Sequence, residues 1–208
     1  ELVENAAPLS ESELRAFSGA FAQEAQAVGS VVLSGSLPPG TPVTLYRELL
    51  ASVQGRAILD ARGPELIATL DCGPFLVKPN REELEATLGR RITATEELVA
   101  GLQEVNQRGA QWALATQGPG AVWLTSLETV VSLTPAAIAR LRNPIGCGDC
   151  LAAGIAVGLD RGWDVVDAVR YGMAAAAENA QMLLPARVDP GAVTVRAAKL
   201  RAETGRPS

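Results

Sequence analysis

Short apolar runs alternate with longer helical stretches along this chain, and this alternation restricts the fold more than any other feature. The runs at 30–35, 57–60, 75–78 and 112–116 each end in turn-forming, polar or charged residues. Such runs are typical of strands that are buried on both faces of a parallel sheet. The segments between them are long enough to form crossover helices. Together they predict an α/β fold with helices on both faces of a mostly parallel sheet.

The remaining segments predict further helices, one hairpin and an edge strand. Helices are expected at 10–27, 41–53, 64–70, from 79, 95–108, 148–160, 164–181 and 190–203, a hairpin at 121–125 and 128–133, and a short edge strand at 1–9. Ser10 and Glu13 have the three-residue spacing of a capping box. No repeat or linker divides the chain, so we expect a single domain over residues 1–208.

Composition argues against several classes of function. The net charge is −5 and the charges are spread along the chain, which leaves no basic surface for nucleic acid or an anionic membrane. No apolar run approaches the ~20 residues that span a bilayer, and no signal-peptide pattern opens the chain. Three cysteines, an odd number, fit a reducing compartment. We therefore expect a cytoplasmic protein that binds neither nucleic acid nor membranes.

The chain contains no histidine, which limits the chemistry available to it. Without histidine there is no Ser-His-Asp or Cys-His nucleophile system, and the commonest general base is absent. Any proton transfer by a side chain must therefore fall to a carboxylate, a lysine, a tyrosine or a cysteine.

One glycine-rich turn combines a carboxylate with the start of a helix. Asn143-Pro144-Ile145-Gly146-Cys147-Gly148-Asp149-Cys150 leads directly into a small-residue helix. Glycines let backbone amides approach a transferring phosphoryl group, and the helix dipole favours its negative charge. Asp149 would then accept the proton of the attacking hydroxyl. Alternatively, Asp149 only caps the helix.

The same turn allows a redox interpretation. Cys147 and Cys150 form a C-x-x-C pattern at a helix start, where thiolates are stabilised. A small redox domain carries this motif after an early strand, however, and here it comes late in the chain. Structural thiols beside Asp149 are the favoured interpretation.

Polar residues follow the carboxyl ends of four predicted strands. They lie at 34–40, at Asp60, at 78–83 and at 116–120. Ligands of open α/β sheets bind at this edge, so the four segments predict one site. Within it, Asn80 and Glu83 could hold a hydrated Mg²⁺, which needs only one or two carboxylates, or could simply cap a helix.

Taken together, these motifs and their order resemble the PfkB/ribokinase family of carbohydrate kinases. Gly146-Cys147-Gly148-Asp149 resembles the family's G-A-G-D signature, with Cys147 in place of the usual alanine. Asn80-x-x-Glu83 resembles its N-x-x-E magnesium motif, and Thr116-x-Gly118-x-Gly120 its nucleotide loop. The segments 34–40 and 78–80 are similar to the phosphosugar branch, which includes 1-phosphofructokinases and tagatose-6-phosphate kinases.

The resemblance implies a three-layer, ribokinase-like (Rossmann-like) fold and a reaction. In that reaction ATP and Mg²⁺ phosphorylate a hydroxyl of a ketohexose phosphate: fructose-1-phosphate, fructose-6-phosphate or tagatose-6-phosphate. Asp149 would be the base, and the amides from Gly146 through Cys147 and Gly148 to Asp149 would form the anion hole. The other implied contacts are Thr116, Gly118, Gly120, Lys78, Asn80 and Asn179 for the nucleotide, Ser34, Ser36 and Asp149 for the sugar phosphate, and Glu83 and Asn80 for the metal.

Family members are longer than this chain. The resemblance implies that the chain corresponds to the C-terminal two thirds of the family domain, without the N-terminal strands and the β lid. A second hypothesis therefore stays open: a catalytically silent nucleotide-binding remnant or assembly partner of a sugar-kinase fold. Lids in the phosphosugar branch often build dimers, so a homodimer is a further expectation.

Overall fold

A seven-stranded sheet, in which each strand is hydrogen-bonded to its neighbours in sequence, forms the centre of the molecule. The computed structural model describes residues 6–135 and 137–205. The strands are β1 Ser30–Ser34, β2 Arg56–Asp60, β3 Leu76–Val77, β4 Trp112–Ala115, β5 Val122–Thr125, β6 Val130–Leu133 and β7 Ala202–Gly205.

The sheet is parallel at one end and antiparallel at the other. Strands β1 to β4 pair in parallel, and β4 to β7 pair antiparallel. Strands β1–β4 and β6 consequently run in one direction and β5 and β7 in the other. The sheet is therefore mixed, and the parallel pairing predicted from the apolar runs is confirmed for β1–β4. Their carboxyl ends share one edge of the sheet.

Eight α-helices and one short 3₁₀ turn complete the described part of the chain. They are α1 Glu11–Ala25, α2 Leu45–Leu50, α3 Gly63–Ile67, the 3₁₀ turn Leu70–Cys72, α4 Arg81–Leu88, α5 Thr95–Gln107, α6 Cys147–Asp160, α7 Val165–Asn179 and α8 Pro190–Ala197. The predicted capping box of α1 is present between Ser10 and Glu13. None of these helices combines the length and the apolar character needed to cross a bilayer.

Two hydrophobic cores lie on opposite faces of the sheet. On one face α2–α5 pack on strand residues such as Leu59 and Val77. On the other face α6–α8 pack on Ile58 and Leu76. Neighbouring residues of one strand thus point into different cores, as alternation along a strand requires. The expected three-layer arrangement, helices–sheet–helices, is confirmed.

Four predicted elements differ from the structure. The helix expected at 41–53 is shorter, Leu45–Leu50, and the helix expected at 64–70 ends at Ile67, before a separate 3₁₀ turn. The helix expected at 190–203 is wrong beyond Ala197, because Ala202–Gly205 form β7. Strand β7 pairs with the free edge of β6, a long-range contact that overrides local helical preference. Of the expected edge strand at 1–9, residues 1–5 lie outside the described residues, and 6–9 have no regular structure.

Helices α6 and α7 approach each other closely because both carry glycine at their contact. A Cβ atom added at Gly154 would lie 2.6 Å from the Cα of Gly172, and one added at Gly172 would lie 2.5 Å from the carbonyl oxygen of Leu151. No side chain fits at either distance. The small residues of α6 therefore serve helix packing, and α7 becomes a close support for the helix that begins at the glycine-rich turn.

This contact yields a stability prediction. Gly172→Ala should lower the free energy of unfolding by at least about 1–3 kcal/mol, because the added methyl group overpacks the helix contact. Gly19→Ala is the matched control: Gly19 lies within α1, and no atom lies within 4 Å of its added Cβ. The control should raise stability by about 0.5–1 kcal/mol. Urea unfolding of both variants measures the difference, and equal effects would contradict the packing argument.

Candidate active site

Gly146 makes the turn that starts α6. Its φ of +77° lies in the left-handed region, and a Cβ there would come within 3.3 Å of the Cβ of Pro185. Glycine is therefore required by both backbone conformation and space. The turn leaves Asp149 solvent-exposed in the first turn of the helix.

The turn exposes several backbone donors. The N–H of Cys147 donates to the carbonyl of Pro144 at 3.2 Å, and the N–H of Cys150 donates to Gly146 at 2.9 Å. Within the part of the chain that the structure describes, the N–H groups of Gly146, Gly148 and Asp149 have no acceptor. Unpaired N–H groups at the start of a 14-residue helix favour an anion. The predicted contribution of the Cys147 amide is corrected, because that N–H is already committed within the turn.

The buried side chain of Asn179 holds this turn in place. Asn179 lies at the end of α7 and is fully buried. Its Nδ2 donates to the carbonyl of Ile145 at 2.9 Å and lies 3.3 Å from the Sγ of Cys147. Its Oδ1 accepts the N–H of Ala186 at 2.7 Å. Asn179 therefore holds the turn from its buried side. Because its amide is buried and already hydrogen-bonded, it is not available to contact a nucleotide directly.

A second tether, which the sequence reasoning did not assign, starts from Asn143. Its Oδ1 accepts the N–H of Ile145 at 2.9 Å, and its Nδ2 donates to the carbonyl of Leu183 at 3.0 Å. The backbone N–H groups of Arg142 and Asn143 both donate to Ala180, just beyond α7. An asparagine directly before a proline is a common turn former, and this was the available signal.

The carboxylate of Asp149 meets the end of β1. The hydroxyl of Ser34 donates to its Oδ1 at 3.1 Å, and both residues are exposed to solvent. The sequence-predicted partners Ser34 and Asp149 are thus brought together. Ser36 is also exposed, but it has no described hydrogen bond to this cluster.

A buried ion pair lies beneath the start of α6. The Nζ of Lys78 and the Oδ2 of Asp60 are 2.9 Å apart, and their side chains are 6 % and 15 % exposed. The position that a Cβ of Gly148 would occupy is 3.6 Å from the lysine nitrogen and 3.8 Å from the aspartate oxygen. The absence of a side chain at Gly148 therefore leaves the ammonium group next to the free amides.

Asn80 and Glu83 form the capping box of α4. The Oδ1 of Asn80 accepts the N–H of Glu83 at 2.9 Å, and the Oε2 of Glu83 accepts the N–H of Asn80 at 2.8 Å. The N–H of Arg81 donates to the carbonyl of Thr116 at 3.2 Å, which ties this helix start to the end of β4. No cluster of three or more metal-ligating side chains occurs in residues 6–135 and 137–205.

The loop after β4 is shaped by glycine. Gly118 is exposed and has a φ of +59°, in the left-handed region. The N–H of Gly120 donates to the carbonyl of Gln117 at 3.1 Å, closing a tight turn. Thr116 leads this turn to the edge of the sheet that also carries Asn80 and Asp60.

The two cysteines that flank the site are free thiols. Burial, followed by the charges of Cys147 and Asp149, raises the pKa of the Cys150 thiol above its ordinary value. Buried cysteines of this kind are typically structural and unreactive. For Cys150, burial therefore favours a structural thiol.

The tether through Asn179 predicts a local effect. In Asn179→Ala the carbonyl of Ile145 and the N–H of Ala186 lose their partner, at a cost of about 0.5–1.5 kcal/mol for each hydrogen bond lost. Amide hydrogen exchange should accelerate at least tenfold over 143–150 and 185–187.

The buried amide of Asn106 supplies the control. Its Nδ2 donates to the carbonyl of Ala110 and its Oδ1 accepts the hydroxyl of Thr125, and both partners lie outside residues 143–150 and 185–187. Asn106→Ala should destabilise the fold without accelerating exchange in those two segments. Equal exchange profiles for both variants would contradict a specific role of Asn179.

Comparison with known proteins places this arrangement in a family. Residues 1–186 match the family described as pfkB family carbohydrate kinase. The chain is 30 % identical over 151 residues to 1-phosphofructokinase of Haemophilus influenzae, covering 71 % of this chain and 48 % of that protein. It is also 30 % identical over 176 residues to 1-phosphofructokinase of Bacillus subtilis, covering 83 % and 57 %. The chain therefore spans about half the length of these relatives.

A solved structure agrees with the sequence comparison. The crystal structure of phosphofructokinase-2 from Escherichia coli in complex with fructose-6-phosphate superimposes with a TM-score of 0.80 at 25 % identity, covering 94 % of this chain and 64 % of that one. The predicted ribokinase-like fold is thereby confirmed. With the family match over most of its length, this chain belongs to the pfkB family of carbohydrate kinases.

Proposed function

We propose that this chain carries the phosphoryl-transfer site of a sugar-phosphate kinase. The observation that supports it best is the surroundings of Asp149: an exposed carboxylate, hydrogen-bonded to Ser34 and lying in the same helix turn as unpaired backbone N–H groups. A base for a hydroxyl and donors for a phosphoryl group are the two parts that phosphoryl transfer requires of a protein.

In the proposed reaction, the substrate hydroxyl donates its proton to the carboxylate of Asp149 as its oxygen attacks the γ-phosphorus of ATP. A new O–P bond forms, the bond from the γ-phosphorus to the bridging oxygen breaks, and ADP leaves with the bond's electrons. The N–H groups of Gly146, Gly148 and Asp149 stabilise charge on the transferring group. Lys78, held by Asp60, supplies a cation at the same place.

The nucleotide phosphates are proposed to lie between α6 and the loop after β4. Gly118 and Gly120 leave backbone amides accessible there, and Thr116 adds a hydroxyl. Asn80 keeps its Nδ2 as a donor, because only its oxygen is used in the capping box. Exposed apolar side chains in and beside the glycine-rich turn offer a surface for the adenine ring of ATP: Leu141, Ile145, Leu183 and Leu184.

The residues present fit a hydrated Mg²⁺ through Glu83. One oxygen of its carboxylate accepts the N–H of Asn80, and no described residue donates to the other. The oxygen of Asn80 accepts one N–H in the helix cap and keeps a second lone pair for a water of the hydrated ion. Mg²⁺ keeps most of its waters and needs only one or two carboxylates. When bound with ATP, it would neutralise charge on the phosphates.

The proposed acceptor is a ketohexose phosphate. Two relatives are named 1-phosphofructokinase, and the matching Escherichia coli structure contains fructose-6-phosphate. Fructose-1-phosphate, fructose-6-phosphate and tagatose-6-phosphate all present a primary hydroxyl to a base. Ser34, which already contacts Asp149, is placed to orient that hydroxyl.

The role of Asp149 gives the first functional test. Asp149→Asn should lower kcat at least about 100-fold, because the amide cannot accept the proton, while ATP binding and the unfolding midpoint stay unchanged. A coupled assay with the three ketohexose phosphates measures kcat.

Asp164→Asn is the matched control, since Asp164 only caps α7 and asparagine caps equally well. Turnover of Asp149→Asn within tenfold of the parent would exclude Asp149 as the base.

The same coupled assay tests the second candidate function, that of a nucleotide-binding protein that catalyses no turnover. That candidate is favoured by one observation: of the two serines predicted to contact the sugar phosphate, only Ser34 is hydrogen-bonded to Asp149. It predicts that the 208-residue chain binds ATP with Mg²⁺ but converts none of the three sugars.

The metal contact can be tested without turnover. Glu83→Gln keeps the capping box, since glutamine serves at that position as well as glutamate, but removes the charge. The Mg²⁺ concentration that half-saturates ATP binding should rise about 10–100-fold.

The control is Glu13→Gln, which makes the same change in the capping box of α1. Both variants should lose similar, small amounts of stability. An unchanged Mg²⁺ requirement in Glu83→Gln would rule out its metal contact.

A further inference from the structure

A cavity at the far end of the sheet is not used by the proposed reaction. It lies between the segment that follows β6, helix α8 and strand β7, and its volume is about 790 Å³. Sites for small molecules typically measure about 300–1,000 Å³. Its walls include Thr134 and Ala137 on one side and Arg196, Lys199 and Arg201 on the other. None of the residues assigned to the candidate active site lines it.

The cavity is locally cationic in an acidic chain. Arg196, Lys199 and Arg201 line it together with one carboxylate, Glu203, and Arg196 pairs with a second carboxylate, Glu178, although the whole chain has a net charge of −5. In the described parts of the chain, 6–135 and 137–205, Lys199 and Arg201 take part in no ion pair. Their charges are therefore available to a ligand, and the sign of that ligand is negative.

Arg196 is held in one position at the wall. Its Nη2 is 3.2 Å from the Oε2 of Glu178, and the two side chains are 22 % and 11 % exposed. Its Nη1 lies 3.5 Å from the carbonyl oxygen of Ala137. Its Nε is buried without a hydrogen-bond partner among the described residues. A buried N–H without an acceptor is costly, and it is the kind of group that a bound ligand or water satisfies.

The attraction for an anion does not come from the start of α8. The carboxylate of Asp189 accepts the N–H of Gly191 at 2.6 Å and that of Ala192 at 3.2 Å. Those donors are therefore occupied, and the adjacent carboxylate repels an anion. Recognition must come from the cationic side chains, together with the hydroxyl of Thr134.

We propose that this cavity is a second anion site, which binds the phosphate group of a phosphorylated small molecule apart from the phosphoryl-transfer site. A guanidinium group donates in a planar fork that matches phosphate oxygens, and a lysine adds a point charge. The volume leaves room for a sugar-sized or nucleoside-sized body beside the phosphate. This site does not depend on the proposed kinase reaction.

Pyrophosphate is the probe, titrated calorimetrically into the 208-residue chain with and without saturating β,γ-imido-ATP. The analogue occupies the phosphoryl-transfer site, so pyrophosphate bound in its presence reports the cavity. One equivalent should bind. The double variant Lys199→Ala/Arg201→Ala should weaken this binding at least tenfold, and 0.5 M NaCl should weaken it in the parent, because the two cations are exposed.

Arg91→Ala is the matched control, since it removes an exposed arginine that does not line the cavity. It should change pyrophosphate affinity by less than twofold. Urea unfolding verifies that each variant is folded. If the double variant is unstable, Lys199→Ala alone, which leaves Arg201 next to β7 unchanged, should show a partial loss of pyrophosphate affinity.

Three results would overturn the proposal. The first is no binding of pyrophosphate to the parent chain in either condition, and the second is equal affinity in parent and double variant. The third is weaker binding of imido-ATP by the double variant, which would make the cavity part of the nucleotide site. If the chain binds no imido-ATP, the proposed function fails, but the loss of pyrophosphate binding in the double variant still supports the second site.

Discussion

The buried amide of Asn179 is the contact on which the candidate site depends. Gly146 adopts a left-handed turn, and because glycine has many accessible conformations, other contacts are needed to fix the backbone in this one. Asn179 supplies that support from the end of α7, bonding the carbonyl before the turn and the amide of Ala186. Donors aimed at an anion before it arrives need no reorganisation when it binds. The fold thus fixes the electrostatics of the site in advance.

The position of the turn also depends on how α6 and α7 meet. Gly154 and Gly172 let the two helices touch along their backbones, so the axis of α6 is set by backbone contact rather than by side chains. On the opposite side of the turn, the Lys78–Asp60 pair offers its charge from the tips of β3 and β2. Removing either partner of such a pair leaves the other as an uncompensated charge with little access to solvent. The helix pair and the sheet therefore define the site jointly.

Local sequence was sufficient for most of the fold. Apolar runs identified β1–β4, and the spacing of Ser10 and Glu13 identified the cap of α1. The rule that ligands bind at the carboxyl ends of parallel strands was enough to collect Ser34, Asp60 and Lys78 at one edge. These features depend on residues close together in sequence, or on a topology with few alternatives.

The parts that could not be predicted depend on long-range partners. Strand β7 exists because β6 offers a free edge, and nothing in residues 202–205 indicates this. The amide of Cys147 was assigned to the anion hole because sequence does not show that the carbonyl of Pro144 accepts it. Asn179 was associated with the nucleotide, whereas its buried amide holds the turn. Composition identifies a polar residue near a site but not the atoms it bonds.

The order of the strands has a consequence for how the chain folds. Because every strand pairs with its neighbour in sequence, β1 to β6 can be added one after another, and each step closes a shorter segment than the one between β6 and β7. The pairing of β6 with β7 is different, since it encloses α6, α7, α8 and the glycine-rich turn within one long loop. Long loops cost more entropy to close and slow folding. The segment that bears the glycine-rich turn is thus expected to be the last to become ordered, on a sheet that is already formed.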